Sequence, residues 1–102
     1  MTPAHLAVEN DDLPMLRDLL DGGADIDEVD GLTLLQHAID AEVQGYVQLG
    51  EPLHVDMTAY LLARGADPLA TVPGTGSALD LARRLGHWLA VTVIEAHLDR
   101  RR

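Results

Sequence analysis

The chain has 102 residues, 47% hydrophobic and 24% charged, with 17 acidic against 7 basic side chains and a formal net charge of −10. That is length for one domain and apolar content enough for a packed core, which excludes a disordered tail. The charge is wrong for nucleic acid or an anionic membrane surface, and the absence of cysteine removes a disulfide scaffold, a thiolate zinc site and a cysteine nucleophile.

Apolar stretches are short and interrupted by Asp, Arg, His or Gly, so neither a membrane span nor a secretory segment is expected. The chain reads as soluble, unprocessed and cytoplasmic. Residues 1–31 carry nine acids against Arg17 alone, whereas residues 71–102 carry three against five arginines. Every cation is arginine, and with the abundance of Leu, Ala, Gly and Asp this points to a GC-rich, bacterial coding genome.

In chain order, Thr2-Pro3-Ala4-His5-Leu6-Ala7 opens with a hydroxyl placed to cap a helix, and Pro3 suits a first turn whose N–H groups have no partner. Helices are predicted over 3–9 and 13–21, the second with Pro14 in its first turn. Leu19-Leu20 then leads to Gly23-Ala24-Asp25, where the glycine can close a helix with positive φ. Thr33-Leu34-Leu35-Gln36-His37-Ala38 restarts the pattern, giving helices over 34–48 and 54–64, then Leu61-Leu62 and Gly65-Ala66-Asp67. Ser77-Ala78-Leu79-Asp80-Leu81-Ala82 starts it a third time, with helices over 78–85 and 88–99. No such pair can bury its apolar face alone. Leu6, Leu16, Leu19 and Leu20 are therefore expected to meet Leu35, Ile39, Leu61 and Leu62, and these to meet Leu79, Leu81, Val91 and Ile94.

The T-P-x-H-L-A start, the paired leucines and the Gly-Ala-Asp end resemble the ankyrin repeat, whose T-P-L-H-x-A signature recurs about every 33 residues. The first copy keeps the pattern throughout. The second has Leu34 and Gln36, and the third Ala78 and Asp80, where the family has Pro and His. The resemblance implies an all-α, ankyrin-like solenoid of three helix-turn-helix repeats joined by extended hairpin-like loops, with little or no β-sheet. Residues 1–102 then form one domain, with repeats near 2–30, 31–70 and 71–102. Thr2 to Gly23 spans 21 residues but Thr33 to Gly65 spans 32, so 11 residues are inserted near 43–53. The connection from Gly23 to Thr33 is two residues shorter than that from Gly65 to Ser77, which predicts a tight first turn.

His5, His37, His54, His87 and His97 are spread along the chain without metal-ligand spacing, and structural roles are expected for them. His54 and Asp56, on a helix over 54–64, would face apart. Pro73-Gly74-Thr75-Gly76-Ser77 precedes a helix, as a phosphate cradle would, but it lacks the lysine and the preceding strand. No catalytic constellation, metal or cofactor is expected.

The resemblance implies instead a protein-binding module. Its exposed helix positions map to Glu9 and Asn10, to Asp40 and Ala41, and to Arg84 and Leu85. The run Asp25, Asp27, Glu28, Asp30 is either a solvated loop or the tip of a binding surface. The insertion carries Tyr46, Val47 and Leu49 and is either a recognition loop or a longer helix. Trp88 either covers the end of the core or stands exposed, and Arg100-Arg101-Arg102 places favourable charge at a helix end. The candidate partner-binding residues are Glu9, Asn10, Asp27, Glu28, Asp30, Asp40, Tyr46, Leu49, Arg84 and Trp88. The expected partner is a protein with a basic surface, not nucleic acid or membrane, bound by a monomer. The alternatives are an immunity-type inhibitor of a basic toxin or nuclease, and a self-associating repeat protein.

Overall fold

Local capping sets the start of the first helix of each pair in the computed structural model, which describes residues 1–100. Arg101 and Arg102 of the arginine tail lie outside the described residues. The Thr2 hydroxyl accepts from the His5 amide at the start of α1 (Pro3–Glu9). Thr33 and Gln36 form a reciprocal capping box ahead of α3 (Leu34–Leu49), and Ser77 and Asp80 form another ahead of α5 (Ala78–Leu85). Each of these helices is followed by an antiparallel partner: α2 (Leu13–Asp21), α4 (Asp56–Ala63) and α6 (Trp88–Arg100). Gly23 and Gly65 close α2 and α4 with φ of 106° and 102°, a region only glycine enters cheaply. No described helix is long and apolar enough to cross a membrane.

The first connection is the tight turn its length predicts. Two-residue strands β1 (Val29–Asp30) and β2 (Leu32–Thr33) pair antiparallel around Gly31, Val29 opposite Thr33 and Asp30 opposite Leu32. The second connection closes through a bridge between Val72 and Gly76. The result is an all-α, ankyrin-like stack of three helix pairs.

The core runs through all three pairs, with Leu16, Leu34, Leu35, Ile39, Met57, Leu61 and Ile94 among its fully buried side chains. One expected member is not there. Leu6 is 46% exposed, because α1 turns Ala4, His5, Ala7 and Val8 inward and leaves Leu6 on the outer side of the turn. The expected helix over 54–64 begins only at Asp56, so His54 stands ahead of it, and its Nδ1 lies 4.0 Å from Asp56 Oδ2. The pair expected to face apart is thus brought together by an irregular segment.

The insertion is helical over 43–49 and extends α3 until Gly50, with φ of 69°, ends it. This extension removes the local cap of α4. Asp12 accepts from the Met15 amide at 3.1 Å, and His87 Nδ1 accepts from the Ala90 amide at 3.2 Å. Met57 holds the same place in the second pair, but Val55 gives α4 no side-chain cap. Glu42, on α3, supplies it from a distance. Its Oε2 accepts from the Met57 and Thr58 amides at 3.1 and 3.2 Å, and its Oε1 from the Thr58 hydroxyl at 2.6 Å and His87 Nε2 at 2.8 Å.

Glu42 is 4% exposed and His87 fully buried. Glu42→Ala should destabilise the fold by about 3–5 kcal/mol, since it leaves these donors buried without an acceptor. Glu42→Gln, keeping one acceptor oxygen, should cost about 1–2 kcal/mol. Urea unfolding checks both, and a loss below about 1 kcal/mol for the alanine variant would refute the assignment.

Candidate interaction surface

Six of the candidate residues fall at the two ends of α1: Asp27, Glu28 and Asp30 at its start, and Glu9, Asn10 and Leu49 at its far end. At its start lie the acidic loop residues, and most of their carboxylates are engaged. Thr2 donates its amide to Asp30 Oδ2 at 3.2 Å and its hydroxyl to Glu28 Oε1, and the Met1 ammonium is 3.6 Å from Asp30. Asp27 Oδ1 accepts from the Asp67 amide at 3.1 Å, joining the two inter-repeat loops, while Asp25 accepts from the Asp27 amide at 2.9 Å. Solvated as it is, this run also fastens the loops.

Between the ends, the first two pairs are joined by a buried histidine contact. His5 Nδ1 lies 2.9 Å from His37 Nδ1, and His37 Nε2 donates to the Glu9 carboxylate. One proton sits between the two facing nitrogens, so both rings fit together when at least one is neutral. Burial pushes the His5 pKa below its ordinary value. The Glu28 backbone and the Glu28 and Asp30 charges pull the other way, and His37 adds to the depression. Gln36, one repeat on from His5, makes the equivalent forward tie by donating Nε2–H to the Gly76 carbonyl at 2.8 Å. Asp80, one repeat further, closes only its own box, and the Ser77 amide and hydroxyl hold its carboxyl below the usual range.

At the far end of α1, about 10 Å away at 1.5 Å per residue, the α1–α2 turn and the inserted part of α3 enclose a cleft of about 470 Å³. Glu9 and Asn10 line it together with Leu49, which is 73% exposed. Asp11, in the left-handed region at φ 55°, lines it too, as do Gly45, Gln48 and Glu51. Sequence reasoning missed these last four. The signal was Gly45, a helix-weakening residue in the middle of the inserted segment. Asp40 is half-buried and accepts from Gln44 at 2.9 Å.

Tyr46, 53% exposed, follows Glu42 by one turn of α3 on the same face. Trp88 is 65% exposed and does not close the core. Arg84 is exposed and donates to the Thr75 carbonyl at 3.1 Å. The segment 73–77 is not a phosphate cradle. Its Thr75 and Gly76 amides both donate to the Val72 carbonyl and its Ser77 amide to Asp80, so these N–H groups are spent on the turn.

The depressed His5 pKa sets a pH dependence. The neutral ring is favoured in the fold, so the stability it contributes is complete above the unfolded value of about 6.5 and is lost as pH falls through the lower folded value. In thermal melts from pH 7.5 to 5, the advantage of the wild type over His5→Gln should shrink steadily. A gap that stays constant would contradict it.

Residues 1–31 match the family model described as Ankyrin repeat. No curated protein matches the chain. Its first 31 residues are thus similar to an ankyrin repeat, and two further helix pairs are stacked behind them.

Proposed function

We propose that this chain is a non-catalytic protein-interaction module whose partner presents a basic surface. Ankyrin repeats generally serve protein–protein interaction, which supports the class. The reading takes residues 1–102 as one domain, with repeats over 2–30, 31–70 and 71–102, acting as a monomer. The observation that carries it is the overhang of α3. This helix has 16 residues against 8 in its partner α4, and the excess holds Tyr46, Val47 and Leu49 out in solvent. Apolar and aromatic side chains held on a rigid helix, with no core to enter, are what an interface uses as anchors. The net charge of −10 favours a cationic partner and speeds its approach.

A basic toxin or nuclease held inactive by this chain is one form of that reading, supported by the same charge. Self-association is the competing form. It rests on the exposed apolar side chains alone and gains nothing from like-charged copies.

The test is capture of partners from lysate of the source cells by the full chain beside Tyr46→Ala/Leu49→Ala. Both should fold, because the changes are at exposed positions. The double variant should retain about tenfold less partner. Capture by the wild type should fall in about 1 M salt, where charges are screened within about 3 Å. Equal retention by both proteins would move the site away from the overhang, and a mass that doubles with concentration in light scattering would favour self-association.

A further inference from the structure

The cleft beneath the overhang has a chemistry of its own. Val8 and Met57 close its floor but are each only 1% exposed, so the apolar surface it offers is chiefly that of Leu49 at its edge. Four carboxylates line it, and the one basic side chain among its described lining residues is His54. Two of the four are committed: Glu42 to the α4 amides and His87, and Glu9 to His37. The carboxylates of Asp11 and Glu51 have no hydrogen-bond or ion-pair partner among the described residues. Asp11 is fixed by its turn, and Glu51 lies against α3 where Gly45 makes room. A β-carbon at residue 45 would come within 3.1 Å of Glu51 Oε2.

An exposed leucine at the edge of a cleft, with two free carboxylates lining the same cleft, matches a side chain that has an aliphatic stem and a cationic head. We propose that this cleft receives an arginine or lysine side chain of the partner protein, with the stem along Leu49 and the charge at Asp11 and Glu51. The proposal rests on the protein-binding reading above and adds the place and the chemistry of one contact. That place is the helix-turn end of the stack, away from the loops, and it exists because of the insertion.

The experiment is a titration of the isotope-labelled full chain with N-acetyl-arginine amide, the lysine equivalent and the neutral citrulline equivalent, followed by amide NMR shifts. Saturable shifts at Asn10, Gly45, Gln48 and Glu51 are expected with arginine or lysine, and at least fivefold weaker binding with citrulline. Asp11→Asn/Glu51→Gln should weaken the cationic ligands at least fivefold. Asp18→Asn/Asp99→Asn, which removes the same charge from exposed sites elsewhere, should weaken them less than twofold. Gly45→Leu should fill the cleft and abolish the shifts while the helix is kept, since leucine is the better helix former.

Equal binding of citrulline, equal weakening by the two charge-matched pairs, or no saturable shift at the cleft would overturn the proposal. If lysate capture persists undiminished in Asp11→Asn/Glu51→Gln, the cleft is not the contact and the module reading stands. If the cleft binds arginine while wild-type chain captures nothing, the cation site stands and the module reading falls.

Discussion

A carboxylate taken out of water holds the second and third helix pairs together. An isolated buried charge costs several kcal/mol, and Glu42 is tolerable only because its two oxygens accept from four donors. Those donors come from two places: the first turn of α4, where the amides also present the positive end of the helix dipole, and the turn between α5 and α6 through His87. The position of each fixes the others. Moving α4 relative to α5 strands either the amides or the imidazole in an apolar interior. The hydrophobic core supplies the drive for stacking, but leucine against leucine is tolerant of small slides. Glu42 is not.

What was legible in the sequence was local. Thr2, Thr33 and Ser77 cap helices they adjoin, and Gly23 and Gly65 close helices they follow, so residue type and spacing sufficed. Leu6 was misread because an apolar residue in a helix says nothing of its angle to a neighbour not yet placed. The inward face here is carried by small residues and a histidine. Glu42 was not legible for a sharper reason. In the first and third pairs the residue that caps the second helix lies three positions ahead of the amide it serves, as Asp12 and His87 do. The insertion displaces that arrangement, and His54, at the corresponding place, leaves its Nδ1 buried without a hydrogen-bond partner among the described residues. The acceptor then comes from a helix 15 residues earlier, a distance no local rule reads.

The histidines were also read as scattered, and in sequence they are. Stacking changes that, because a solenoid sets residues about one repeat apart side by side. His5 and His37, 32 residues apart, become contacts, and Gln36 reaches Gly76 over 40 residues in the same forward sense. The tie ends at Asp80, which has no following repeat among the described residues and turns back on Ser77. Chemistry at one position of the repeat thus varies with what lies ahead of it: an imidazole facing another imidazole, an amide facing a carbonyl, a carboxylate facing its own cap.

The two acidic ends of the molecule are not equivalent, and net charge alone hides the difference. At the loop end Asp25, Asp27, Glu28 and Asp30 all accept hydrogen bonds within the chain, so a cation arriving there must compete with bonds that hold the turns. At the insertion end Asp11 and Glu51 carry no such bond among the described residues. Long-range attraction draws a basic surface toward both ends, but only a free carboxylate can pair with it without loosening the fold. The insertion creates that condition at some cost. It strips α4 of its local cap, obliges Glu42 to be buried, and places Gly45 inside a helix, where glycine is about 1 kcal/mol worse than alanine. A longer helix made only for stability would carry alanine at 45 and polar residues at 46, 47 and 49. This one has an opening where a side chain would stand and apolar groups where water stands, and both Gly45 and Leu49 line the same cleft as its unpaired carboxylates.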